Sequence, residues 1–287
     1  YKSGPCLKFI FRQYTFFQNA LLGIIIISIA GAIIGTYIVT RRMVFITGGI
    51  THASFGGLGV GYYLGISPTL AALFFAILSA VGVEWLSKRK TVREDSAIAV
   101  FWAMGMAIGI IFIFLTPGYT PGLTDFLFGN ILTITRGDIA LFSGFALLLL
   151  LFFAFFYKHI LYTAFDPDFA YTRRMPVKLI NYCMTLFISV CIVLTIRLVG
   201  IMLLLSLLTM PQMIAELFCN KFRQMIFWSV FISILCGLGG LILSFFLDVP
   251  AGATIVFTLA AIYAVAKTVV SYTHYRMTRK ALRIINE

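Results

Sequence analysis

Apolar residues run along this chain in long blocks, broken by short clusters rich in Lys, Arg, Pro and Gly. A helix needs about 20 apolar residues to cross a hydrocarbon core. Phe17–Val39, Met43–Leu64, Pro68–Leu86, Ala97–Leu115, Asp138–Tyr157, Met225–Leu247 and Gly252–Tyr272 all qualify as spans. The block from Leu179 to Phe218 is too long for one crossing, and Arg197 and Gly200 divide it into Leu179–Ile196 and Leu198–Phe218. Leu123–Thr135 is too short to cross and predicts a re-entrant or interfacial helix. The pattern predicts an all-α, polytopic helical membrane protein with about nine crossings. Eight is the alternative, with Leu179–Phe218 as one tilted helix.

Composition agrees and narrows the class. Of 287 residues, 61% are hydrophobic and 11% charged, and the mean hydropathy is +1.02. Soluble domains carry about 45–50% apolar and about 25% charged residues. A soluble enzyme, a disordered chain and a nucleic-acid-binding domain are therefore excluded, despite a net charge of +12. Placing the charges separates the two topologies, because cytoplasmic loops concentrate Lys and Arg. Eight crossings put ten such residues on each side. With nine, Lys221, Arg223, Arg276, Arg279, Lys280 and Arg283 join Arg41, Arg42, the 88–93 cluster, Lys158, Arg173, Arg174 and Lys178, a split of sixteen to four. Nine crossings, with the N-terminus outside and the C-terminus in the cytoplasm, follow. Residues 1–16 then form an interfacial arm that lies on membrane lipid, its Lys2, Lys8 and Arg12 interleaved with Phe9, Phe11 and Phe16. Residues 17–272 form the membrane domain, with a cytoplasmic loop at about 158–178, and 273–287 a basic cytoplasmic tail.

The loops are too short for a further domain. No G-x-x-x-x-G-K-[ST] phosphate loop is present, so ATP hydrolysis, if it drives this chain, belongs to a separate polypeptide. H-E-x-x-H is absent, and Ser54 near His52 lacks a G-x-S-x-G turn. A transport subunit or a channel remains, rather than an enzyme, with no cofactor of its own. Cys6, Cys183, Cys191, Cys219 and Cys236 show no C-x-x-C spacing and read as small buried hydrophobes. Glu84 with Trp85 reads as an interfacial anchor and Asp248 with Pro250 as a tight external turn, while Glu216 lies within reach of Lys221 and Arg223. Asp125 and Asn130 flank the short segment.

The second span carries the candidate chemistry. Its glycines would be unfavourable in a water-exposed helix but allow close helix approach in a membrane. Gly57, Gly61 and Gly65 share one face, and Gly105 and Gly109 make a comparable face in the fourth span. His52, the one histidine within a span, shares a helical stripe with Gly48, Gly49, Gly56 and Gly59, so its imidazole is expected to project into a groove stripped of bulk. Ionisable groups inside membranes face cavities or pathways, and neutral imidazole is a common transition-metal ligand. The alternative is a histidine bonded to a neighbouring helix's carbonyl.

Seven motifs, in order, resemble the permeases of bacterial ABC importers for zinc, manganese and iron. They are Arg41-Arg42-Met43, Thr51-His52-Ala53-Ser54 with Gly57 and Gly61, Arg93-Glu94-Asp95-Ser96-Ala97-Ile98, Leu127-Phe128-Gly129-Asn130-Ile131-Leu132, Phe165-Asp166-Pro167-Asp168-Phe169-Ala170, Val199-Gly200 through Pro211, and Asp248-Val249-Pro250-Ala251-Gly252. The resemblance implies a bacterial cytoplasmic-membrane permease that passes a divalent transition metal ion. It also implies a second permease copy, a cytoplasmic ATPase dimer and an external metal-binding protein as partners. Phe165–Ala170 would belong to the element that couples to the ATPase, with His52 a ligand on the pathway. There are departures. The family's aspartate four residues before the histidine is Gly48, its P-G is Gly56-Gly57, its P-A-A is Pro211-Gln212-Met213, and a glycine after the coupling motif is replaced by Arg173-Arg174. Loss of that carboxylate weighs against hard ions such as manganese and towards zinc or ferrous iron. A permease of the same fold for a metal chelate and an ATP-independent channel or secondary transporter stay open as alternatives.

Overall fold

The computed structural model describes residues 15–88, 93–118, 126–127, 129, 131 and 134–286. The interfacial arm, Asp125, Asn130 and most of the short segment around them fall outside the described residues. The helices are α1 (Thr15–Thr40), α2 (Val44–Leu64), α3 (Pro68–Lys88), α4 (Glu94–Leu115), α5 (Arg136–Phe165), α6 (Pro167–Thr172), α7 (Val177–Glu216), α8 (Phe222–Leu247) and α9 (Ala251–Asn286). No strand occurs among the described residues.

Seven of these helices are long and apolar enough to cross a membrane, α7 counting once and α2 not at all. Glycine, threonine and serine dilute the hydropathy of α2, yet the hydroxyls of Thr47, Thr51 and Ser54 each bond a carbonyl one turn earlier, which satisfies their hydrogens. Helix α9 runs unbroken past Tyr272 into the basic tail.

Helix α7 does not run straight. Forty residues of straight helix would extend about 60 Å, twice the hydrocarbon thickness. At Gly200 the backbone has φ 78° and ψ 171°, a region essentially reserved for glycine. Residues on both sides of it return to one end of α1. Tyr37 donates to Asn181 Oδ1 at 3.4 Å, and Gln212 donates to the Gly31 carbonyl at 3.2 Å. In a straight helix Asn181 and Gln212 would lie about 46 Å apart. The chain therefore doubles back at Gly200, and Leu203, Leu204, Leu207 and Leu208 of the second leg pack in the core with Ile33 and Ile34 of α1.

The reversal sits at the opposite end of α1. There Asn19 donates to the Ile134 carbonyl at 3.0 Å, and Arg197 pairs with Asp138 at 3.2 Å. Gly129 lies so close to Val199 and Gly200 that a Cβ would overlap their backbone. Thr135 and Asp138 cap the start of α5 reciprocally, each accepting from the other's backbone N–H. At the far end of α5, Phe222 stacks on Phe153 and meets Phe165 edge-on, which fixes where the second leg of α7 gives way to α8.

Candidate functional site

Helix α2 lies between α3 and α4. Along the α2–α4 seam the numbering of both helices advances together, with Gly49 facing Ile98, Gly56 facing Gly105 and Gly59 facing Gly109, so the two run parallel. Helix α3 returns antiparallel, with Pro68 against Gly61 and Ala71 and Ala72 against Gly57. Both glycine faces thus touch a neighbouring helix. Gly65 does not join them: it is the left-handed cap of α2 at φ 67°, with open space around it.

The α2–α4 seam is a wedge. At Gly59 a Cβ would overlap the carbonyl of Gly109, and at Gly56 it would lie 2.8 Å from that of Gly105. Two turns earlier the nearest neighbours are side chains: the Ile98 methyl lies 2.8 Å from a Cβ at Gly49, with the Ile98 carbonyl at 3.6 Å, and the Trp102 ring 3.4 Å from one at Gly48. His52 sits where the helices part.

The groove expected to be bare beside His52 is filled. The Trp102 indole stacks on the imidazole, with ring centroids 4.1 Å apart and planes 11° apart. His52 Nδ1 is buried and has no hydrogen-bond partner. Trp102 is the residue that sequence reasoning missed. Its signal was its spacing: Trp102, Gly105 and Gly109 follow i, i+3, i+7, one stripe of α4.

Two cavities open on other faces of α2, and His52 lines neither. One, of about 450 Å³, is bounded by Ser54, Tyr62, Ser67, Phe126 and Arg197 near the reversal. The other, of about 540 Å³, lies at the opposite end among Arg41, Thr47, Glu84, Lys178 and Asn181. Arg41 is held there by Asn181 Oδ1 at 2.7 Å and the Tyr37 hydroxyl at 3.2 Å. Among the described residues no group of three His, Cys, Asp or Glu side chains is placed to hold a metal ion. Cys191 and Cys236 are buried free thiols, and Cys183 and Cys219 are partly buried.

Phe165–Ala170 forms an elbow. Asp166 joins α5 to α6, and its carboxylate accepts from the Phe169 N–H at 2.9 Å, with Pro167 in the first turn, where its missing N–H is harmless. Ala170 is fully buried, while Phe165, Asp168 and Phe169 are exposed. Phe169 packs against Tyr162 and carries the Arg173 guanidinium over its ring. After α6, Arg174 takes a left-handed conformation at φ 55°. A helix commonly ends on glycine at such a position, which gives physical sense to the departure at Arg173-Arg174.

Residues 13–270 match the profile of the ABC 3 transport family. The chain is 36% identical over 255 residues to an uncharacterized membrane protein of Synechocystis sp., covering 88% of this chain and 90% of that one. It is 31% identical over 263 residues to the manganese transport system membrane protein MntC of Halalkalibacterium halodurans, covering 91% and 90%. Among solved structures, PsaBC from Streptococcus pneumoniae in complex with Fab superposes with a TM-score of 0.83 at 28% identity, covering 91% of this chain and 94% of that one.

Proposed function

The chain belongs to the ABC 3 transport family, and on that premise we propose that it is the membrane permease subunit of an ATP-binding-cassette importer whose cargo is a divalent transition metal ion. Its membership and its spanning helices make it a multi-pass membrane transport protein. The observation that carries the cargo assignment is His52: a buried imidazole nitrogen without a partner, on a glycine-rich helix, in a chain whose relatives include a manganese transport system membrane protein. Leaving a buried polar atom unpaired costs about 1–3 kcal/mol, and an ion in transit would offset that cost. The seven spanning helices, together with α2 and the separate return leg of α7, support nine crossings. The charge split supports a cytoplasmic position for α6 and the C-terminal tail.

The elbow at Asp166–Ala170 is the proposed contact with a separate ATPase dimer. Its exposed aromatic and acidic side chains stand on a buried alanine and a capped turn, so the surface is rigid and aimed away from the bundle. A second permease copy would complete the pathway, and an external metal-binding protein would load it.

Uptake of radiolabelled metal into proteoliposomes holding the permease, its ATPase and its binding protein tests these assignments. His52→Ala is expected to abolish uptake, and unchanged uptake overturns the ligand role. Asp166→Ala combined with Phe169→Ala is expected to leave ATP hydrolysis running while uptake is lost. Normal uptake in that double variant rejects the coupling assignment. Offering free and chelated metal in competition decides whether the ion travels alone.

A further inference from the structure

We infer that Gln212 is a latch on a proline hinge. Its amide takes the place of the backbone bond that Pro211 removes from the second leg of α7 and ties that leg to α1, so the last turn of α7 swings away from α1 only when the amide lets go. The latch is independent of which cargo the chain carries.

Proline has no N–H, so at position 211 the leg loses the bond that would run back to the Leu207 carbonyl. Inside a membrane protein a freed carbonyl needs another donor. Gln212 supplies it. Its side chain is fully buried, and Nε2 donates to the Leu207 carbonyl at 3.2 Å and to the Gly31 carbonyl of α1 at 3.2 Å. Both partners only accept, so the nitrogen is the end of the amide that faces them. One group therefore mends the hinge and fastens it to the neighbouring helix. Gly35 makes room for this: a Cβ there would overlap the Gln212 amide and the Leu208 carbonyl.

The other end of the amide makes the fastening reversible. Gln212 Oε1 is buried and has no partner. Two neutral hydrogen bonds stabilise by an amount comparable to the cost of one unpaired buried acceptor. The closed state thus holds with little margin over one in which Oε1 finds a donor. Beyond the latch the chain runs through residues 217–221 to Phe222, whose ring stacks on Phe153 and meets Phe165, the first residue of the elbow. Gln212 stands between the packed core and the surface proposed to meet an ATPase. It is a positioning residue, acting through the backbone of α7.

Hydrogen exchange of the full chain in lipid nanodiscs tests the latch. Gln212→Met keeps the length of the side chain without its hydrogen bonds. It is expected to speed exchange of the amides at 213–219 about tenfold, while those at 203–208, on the core side of the proline, keep their rates. Pro211→Ala restores an N–H to bond Leu207, so Gln212→Met in that background is expected to speed exchange by less than about threefold. A uniform rise along the leg, no rise, or an undiminished effect in the Pro211→Ala background overturns the latch. Thermal melts accompany each variant, and Gln212→Leu carries the comparison if the methionine variant does not fold. Uptake by the complex reconstituted with its ATPase and binding protein tests the hinge. Pro211→Ala is expected to slow uptake of zinc, ferrous iron or manganese about tenfold, with its melting temperature held or raised. Unchanged uptake overturns the hinge. A wild type that moves none of the three ions overturns the cargo reading instead, and the exchange comparison still decides the latch.

Discussion

Two flanks of one helix show how the same residue type builds two different kinds of contact. Towards α3, Gly57 and Gly61 meet backbone: the Ala71 carbonyl, the Ala72 Cα and the Pro68 Cα. Towards α4, contact passes from backbone at Gly59 and Gly56 to side chains at Gly49 and Gly48. The α3 flank meets backbone at both of these glycines. The α4 flank is graded, and His52 lies where the grading begins. Close approach along part of a seam fixes the helix spacing; its loss along the rest leaves a space of defined width for a ring and an imidazole.

Single alanines can sharpen that contrast, read as apparent melting temperature in detergent. Gly57→Ala and Gly59→Ala push a methyl into backbone that cannot yield, and each is expected to destabilise the protein by about 3 kcal/mol. Gly49→Ala is crowded by an Ile98 methyl, which can rotate, and meets the Ile98 carbonyl at an ordinary 3.6 Å, so a loss of about 1 kcal/mol is expected, partly offset by the better helix propensity of alanine. Gly48→Ala finds ordinary contact with Trp102 and is expected to stabilise by about 0.5 kcal/mol. Equal effects at 59, 49 and 48 would show that the seam is not graded and would remove the wedge. Away from the seam, Arg174→Gly relieves a left-handed backbone and is expected to stabilise by about 1 kcal/mol.

Most of the architecture was legible because a membrane forces each span to announce itself as an apolar block. The division of α7 at Arg197 and Gly200 could be read for a related reason: a charge beside a glycine inside 40 apolar residues needs an exit from the bilayer. Glycine faces were legible as close contacts, but not their partners, since a small residue says that something approaches without saying what. Trp102 stayed hidden because an aromatic residue in a span is ordinarily a lipid or core contact; only its register with Gly105 and Gly109 marked it. The pairing of Arg197 with Asp138 was equally out of reach, because it joins residues of two helices that the sequence does not place side by side.

Gly200 has a consequence for how the molecule is made. A reversal with no loop gives the two legs of α7 nothing to leave on the far side, so neither can wait while the other enters: they pass into the bilayer as one hairpin. On the proposed topology Arg197 is carried across at the tip, and a lone charge in hydrocarbon is costly. Its partner comes first in the order of synthesis: Asp138 stands at the head of α5, held by its reciprocal cap with Thr135, and pairs with Arg197 in the folded protein.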